Sequence, residues 1–229
     1  PTYNRKNLLL KLFKTLTEQT NKDFEWLIVD DGSTDGTKEW FESLKYKTYD
    51  FPIRYFWKEN GGKHTAYNKA IQLCKGNFFF CVDSDDYLLP ESINIILNDS
   101  RQYVSDEIIG MVYPRINSKN EICGLNGWEK IDKNPIDIID AKELYNIKET
   151  AIVIRTDILK KYSFPINKDR FGENEKFCPE TILYNFFISE GKFLALCKGF
   201  YVSEYRNDGL TKNEFNLWMQ NSNSVKGSL

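Results

Sequence analysis

The chain has 229 residues, 41% hydrophobic and 15% aromatic, with 31 Lys and Arg against 33 Asp and Glu; this excludes a largely disordered polymer and is ample for one domain with a real core. A net charge of −2 argues against a nucleic-acid binder, which carries a basic excess, and suits an acidic or neutral small-molecule substrate. No apolar run approaches the ~18–20 residues of a membrane span and no signal-peptide pattern is present, so the chain reads as soluble and cytoplasmic, with peripheral attachment at the inner face of a membrane left open.

Leu8, Leu9, Leu12, Phe13 and Leu16 recur at helical spacing after Asn4 and Arg5, and Phe24 to Asp30 is a short apolar run ending in acid and Gly, which predicts helix then buried strand. Ser33, Thr34 and Asp35 offer N-caps for a second helix carrying Trp40, Phe41 and Leu44, followed by a strand from Ile53 to Trp57. A third helix fits Thr65 to Cys74, a strand fits Phe78 to Val82, and Pro90 and Glu91 open a fourth helix. Strands alternating with helices of ~10–15 residues imply an α/β fold, a mostly parallel central sheet flanked by helices. The second half is more mixed. Strands are expected at Ile108 to Tyr113, Ala151 to Ile154 and Phe200 to Tyr205, and helices at Thr156 to Tyr162, Glu180 to Ser189 and Glu214 to Gln220. No linker or repeat divides the chain. A parallel sheet of this kind wants a strand before Pro1, so the numbering is expected to begin after a missing first strand.

Five Cys, none in a CxxC pair, read as reduced thiols, and a single His removes His-rich zinc sites and the ordinary His-based triads unless that residue is the base. A metal here would rest mainly on carboxylates, which suits Mg2+ or Mn2+.

Three polar clusters follow the strands: Asp30 to Ser33, Asn60 to Lys63, and Asp83 to Asp86. Ligands of open α/β sheets bind beyond the carboxyl ends of the strands, so the clusters are expected to meet in one crevice. Asp83, Asp85 and Asp86 would repel one another unless a cation neutralises them, and a divalent metal is one answer; an acidic loop capping the next helix is the other. Asp30 and Asp31 suit a base N–H or ribose hydroxyl, or simply a turn and helix cap. Asn60-Gly61-Gly62-Lys63-His64 opens a helix whose backbone N–H groups, dipole and Lys63 suit a phosphate. Pro179 fits the first position of a helix and places Glu180 in its first turn, where an ionised carboxylate serves as a general base or merely stabilises the helix.

The segments PTYNR, QTNKDFEWLIVDDGSTDGT, ENGGKHTAYNKAI and VDSDDYL, in this order and spacing, resemble the family 2 glycosyltransferases of GT-A fold over roughly residues 1–100, and EKFCPE resembles the acceptor-side acidic motif more loosely. The resemblance implies one GT-A, Rossmann-like domain over residues 1–229, with a nucleotide-sugar half (1–100) and an acceptor half (101–229). It implies that Pro1, Thr2, Tyr3 and Asp31 hold the nucleoside with Arg5 nearby, that Lys63 and Asn68 meet the base and diphosphate, and that Asp83, with Ser84 beside it, touches ribose or sugar. It makes Asp85 the ligand of Mn2+ or Mg2+, and Glu180, with Glu175 second, the base of an inverting transfer from a UDP-sugar to a glycan, lipid-linked or protein acceptor, with no nucleic acid involved. Two departures stand out. No His follows His64, where many members place a late metal ligand, and Glu180-Thr181 stands where a Glu-Asp pair is usual.

Two other readings are carried forward. An aspartate-nucleophile phosphotransferase or phosphatase would use Asp83, though Asp86-Tyr87 lacks the hydroxyl residue that chemistry prefers. A non-catalytic sugar-nucleotide-binding protein would bind UDP and be indifferent to Glu180.

Overall fold

The computed structural model describes residues 1–124, 127–145, 147, 149–166 and 176–204. The first half runs α1 (Lys6–Thr17), β1 (Trp26–Asp30), α2 (Thr37–Leu44), β2 (Ile53–Trp57), α3 (Lys63–Leu73), β3 (Phe78–Phe80), β4 (Tyr87–Leu88) and α4 (Ser92–Tyr103). The second runs β5 (Ile108–Ile116), α5 (Trp128–Ile131), β6 (Pro135–Ile136), α6 (Ile138–Glu143), β7 (Thr150–Arg155), α7 (Thr156–Leu159), α8 (Thr181–Phe187), β8 (Lys192–Ala195) and β9 (Tyr201–Val202). The expected helix at 214–220 lies outside the described residues.

The fold is α/β, a curled central sheet flanked by helices. β1 and β2 pair in parallel, as the alternation of strand and helix dictates, and Thr2 already stands in parallel register beside Asp30. The larger sheet departs from the expected parallel order. β7 lies antiparallel between β3 and β5, β6 is antiparallel to β8, and β4 to β9, while β5 keeps β8 and β9 as parallel partners. The reason lies in the second half, where β7 is reached through two short helices, α5 and α6, rather than a single crossover helix. A parallel neighbour needs the full crossover.

β5 is the spine of the molecule. Ile109, Met111, Val112 and Tyr113 are fully buried, with Met111 and Tyr113 in the core under α1 and α4 and Val112 in the core under α6 and α8. Side chains that alternate faces on a strand buried on both sides give an unbroken apolar run rather than an alternating one. An aromatic cluster fills the first half, with Phe13 stacked on Trp26 and Phe41 on Tyr55. α1 buries Leu9, Leu12 and Leu16, one stripe of its surface. Its start is capped from outside: Asp35 Oδ2 accepts the Lys6 N–H at 2.9 Å, and Oδ1 accepts the N–H of Thr37, so one carboxylate caps two helices. No helix among the described residues is long and apolar enough to cross a membrane.

Candidate active site

The three polar clusters come together as the sheet topology requires. Asp31, just past β1, sends its carboxylate into the loop after β2. Oδ1 accepts Lys58 Nζ at 2.5 Å and the Gly61 N–H at 3.0 Å; Oδ2 accepts the Gly62 N–H at 2.8 Å and Asn60 Nδ2 at 3.2 Å. The N–H groups of Gly61 and Gly62, expected to face a phosphate, are thus spent on Asp31. Asp30 beside it is structural, fully buried and bonded to the Ser33 N–H and the Tyr55 hydroxyl.

Lys63, the first residue of α3, joins the second cluster to the third. Its Nζ lies 2.8 Å from Asp83 Oδ1 and 3.1 Å from Glu180 Oε1. Arg115, at the end of β5, reaches Asp83 Oδ2 at 3.3 Å and Asp86 Oδ2 at 3.2 Å while lying over the Tyr201 ring. Arg5 takes Asp85 Oδ2 at 2.5 Å. Each acid of the Asp83–Asp86 cluster therefore already has a cation: Arg5 from the segment before α1, Lys63 from α3 and Arg115 from β5 supply neutralisation at the cluster that the sequence left between a metal and a helix-capping loop.

These pairings set the proton affinities. Burial alone would raise the Asp83 carboxyl, but the Lys63 and Arg115 charges overcome it and hold Asp83 far below the usual carboxylate range. Glu180 is also lowered, chiefly by the Lys63 charge, and its Oε2 accepts the Tyr184 hydroxyl at 2.8 Å. Asp86 moves the other way, to about 6, through burial and the neighbouring Asp83 charge, against the pull of Arg115. Lys63 is raised well above its ordinary value: burial opposes its charge, and Asp83 and Glu180 more than restore it.

The remaining expected residues divide. Thr2 is buried beside Asp30, with Oγ1 making no hydrogen bond among the described residues, and Tyr3 is half exposed at the same sheet edge. Pro1 is partly exposed and Ser84 buried. Asn68 is bonded to Phe164 rather than to the Lys63 cluster. Its amide both donates to the Phe164 carbonyl and accepts the Phe164 N–H, each at 2.8 Å. At about 100° per residue, five residues past Lys63 is the far side of α3. His64 is also buried, edge-on to Phe164, and burial lowers its pKa. Glu175 lies outside the described residues.

Arg115 and Tyr201 were missed. Arg115 had a signal, a lone cation ending the apolar run IIGMVYPRI. Tyr201 had none, because an aromatic residue in a short apolar strand is ordinarily core.

A hard divalent cation needs one or two protein carboxylates and completes its shell with phosphate oxygens and water. Among the described residues no three His, Cys, Asp or Glu side chains converge. Asp83 and Asp86 are spoken for, whereas Asp85 keeps Oδ1 outside its pair with Arg5. This donor set fits a cation shared between Asp85 and a ligand's phosphates, not one caged by protein alone.

Known proteins place the chain. A pneumococcal glycosyltransferase, GlyG of Streptococcus pneumoniae serotype 4, is 26% identical over 223 residues, 95% of this chain and 73% of its own length. The structure of Staphylococcus aureus TarS residues 1–349 in complex with UDP-GlcNAc superposes with a TM-score of 0.68 at 22% identity, covering 91% of this chain and 58% of that one. The mannosyltransferase PcManGT of Pyrobaculum calidifontis, in complex with GDP-Man and Mn2+, gives a TM-score of 0.58 at 16% identity, covering 91% and 56%. Against two further curated glycosyltransferases the chain spans only 32% and 21% of their length. The fold is GT-A. The family model for glycosyl transferase family 2 matches residues 1–182, and the chain belongs to that family.

Proposed function

We propose that this chain is the catalytic unit of an inverting glycosyltransferase that moves one sugar from a nucleotide-diphosphate sugar, in the first instance a UDP-sugar, to a hydroxyl of a glycan, lipid-linked or protein acceptor. The observation that carries this reading is Lys63: one ammonium, 2.8 Å from Asp83 and 3.1 Å from Glu180, joins the acid at the end of β3 to the acid at the start of α8. A diphosphate leaving group bound at Lys63 would place the sugar C1 between the two.

Each residue then has a task. Pro1, Thr2 and Tyr3 hold the nucleoside at the open edge of β1, with Arg5 alongside. Asp83, held charged by Lys63 and Arg115 and backed by Ser84, accepts a ribose or sugar hydroxyl. Lys63 stabilises the charge that grows on the departing diphosphate. Asp85 would hold Mn2+ or Mg2+ together with the donor phosphates, and that cation would share in neutralising the leaving group. Glu180, kept ionised by Lys63 and oriented by Tyr184, takes the proton of the acceptor hydroxyl. That oxygen bonds to C1 as the C1–O bond to phosphate breaks on the opposite face, so the nucleoside diphosphate leaves and the anomeric configuration inverts. Glu175 remains the second choice of base. The cytoplasmic side, at the inner face of a membrane when the acceptor is lipid-linked, is the proposed place of reaction.

The UDP-GlcNAc complex of TarS supports UDP as the nucleotide. The phosphotransferase reading is disfavoured because both oxygens of Asp83 are ion-paired. The test is incubation with a panel of UDP-sugars and Mn2+, following UDP release and the anomeric proton by NMR. Sugar release or transfer with retained configuration, or turnover with no nucleotide sugar in the panel, overturns the proposal.

A further inference from the structure

Tyr67 stands one turn after Lys63 on α3. At about 100° per residue, four residues bring it back to nearly the same face of the helix. Its ring is partly buried and held between two others, Phe79 of β3 at 5.3 Å and Phe164 at 5.4 Å, the latter edge-on. The hydroxyl is held by nothing: it makes no hydrogen bond among the described residues. It does feel the charges of the cleft. Burial, with Glu180 and Asp83 adding to it against the pull of Lys63, raises the phenol well above its ordinary value, so it keeps its proton and can donate.

The other two tyrosines beside the cluster are spent on the protein. Tyr184, four residues past Glu180 on α8, donates to Glu180 Oε2 at 2.8 Å. The Tyr201 hydroxyl accepts the Asp83 N–H at 2.9 Å and bonds to the Asp86 side chain. Lys63 is engaged by Asp83 and Glu180. Tyr67 thus brings a donor to the cleft that the described protein groups leave unused, whereas a tyrosine hydroxyl near a core ordinarily finds a partner. Packing against Phe79 and Phe164 needs only the ring, and a phenylalanine would serve it equally. A sugar hydroxyl is a neutral acceptor of the kind this O–H lacks.

We propose that Tyr67 reads the donor sugar: its hydroxyl donates a hydrogen bond to a hydroxyl of the sugar ring lying between Asp83 and Glu180, and so takes part in the choice among nucleotide sugars. This role rests on the proposed nucleotide-sugar site. It is one of binding alone, with no bond made or broken at Tyr67. A sugar that fails to meet the phenol leaves it unpaired in a half-buried place, so the contact that favours one sugar also selects against those lacking the matching hydroxyl.

The experiment is Tyr67→Phe in the full chain, titrated by calorimetry with Mn2+ and no acceptor against UDP, UDP-Glc, UDP-Gal, UDP-GlcNAc and UDP-GalNAc. The ring contacts survive this change and no protein hydrogen bond is lost, so the urea midpoint should stay as in the wild type. UDP should bind within about twofold of the wild type, whereas the UDP-sugar that the wild type binds best should weaken by about fivefold to tenfold, the worth of one neutral hydrogen bond. Deoxy forms of that sugar, with one hydroxyl removed at a time, complete a cycle: one of them should weaken by the same factor on the wild type and by nothing further on the variant. Unchanged affinity for every UDP-sugar, or equal weakening of UDP and UDP-sugar, overturns the proposal. So does an unchanged donor affinity with a raised acceptor KM, which would put Tyr67 on the acceptor. A wild type that binds none of these nucleotides brings down the donor site and the role of Tyr67 with it; a wild type that binds, matched by the variant, brings down Tyr67 alone.

Discussion

Lys63 and Glu180, 117 residues apart in the chain, stand 3.1 Å from each other across the cleft. One lies on the first turn of α3 and the other at the start of α8, so their meeting measures how the two halves of the molecule are joined. The ammonium lowers the pKa of Glu180 below its ordinary 4.5, which keeps a base ready at neutral pH.

Glu180→Gln should leave donor affinity within about twofold and lower kcat by about 10²–10⁴, the usual worth of a general base. In the wild type, the acid limb of kcat/KM belonging to Glu180 should fall below pH 4.5, because the pair with Lys63 favours the charged form of the free enzyme. Isothermal titration with UDP alongside initial rates checks both. A Gln variant of undiminished rate would remove Glu180 from the chemistry and move the assignment to Glu175.

Asp85→Ala should abolish the metal-dependent part of UDP binding and turnover while leaving metal-free UDP binding little changed. The reason is that, among the described residues, Asp83 and Asp86 have both carboxylate oxygens engaged, whereas Asp85 is bonded through Oδ2 to Arg5 and keeps Oδ1 outside that pair. Titrating Mn2+ against a fixed UDP concentration, with EDTA as the blank, reads this directly. Undiminished turnover of the variant in EDTA would sink the metal assignment.

Arg115→Met should destabilise the fold by about 3 kcal/mol, since it leaves two largely buried carboxylates short of their partner. The loss should shrink in acid. Asp86 already titrates at about 6, above its unfolded value, and without the guanidinium it moves higher. The folded chain then binds a proton that the unfolded chain releases, so stability falls as pH rises through that range and returns as pH drops from 7.5 toward 5. Urea midpoints at the two pH values, in EDTA, give the comparison with wild type. A destabilisation that grows in acid would contradict the placement of Arg115.

Cys81, two residues before Asp83, should be a poor nucleophile despite its place beside the site. Burial pushes its thiol up to about 11, and the Asp83 charge adds to the effect. At pH 8 it should alkylate about a hundredfold more slowly than a free thiol, because only the thiolate reacts. Timed iodoacetamide labelling read by peptide mass spectrometry tests this, and labelling at the rate of free cysteine would show that the site around Lys63 is open and wet.

The first hundred residues were legible because their information is local. Apolar runs of strand length ending in acid and Gly, separated by helical repeats, give β1, β2, β3 and the helices between them, and the ends of those strands gather Asp31, Lys63, Asp83 and Asp85 whatever follows. The reversed β7 and the short α5 and α6 were not legible, since strand direction depends on pairing between residues far apart in sequence. The same limit governs the site. Residue types and spacing singled out which carboxylates matter, but not what neutralises them. Charge pairing acts over a few ångströms in space, and only the folded chain brings Arg5, Lys63 and Arg115 to the Asp83–Asp86 cluster, fills the four acceptor positions of Asp31, and turns Asn68 away to hold Phe164.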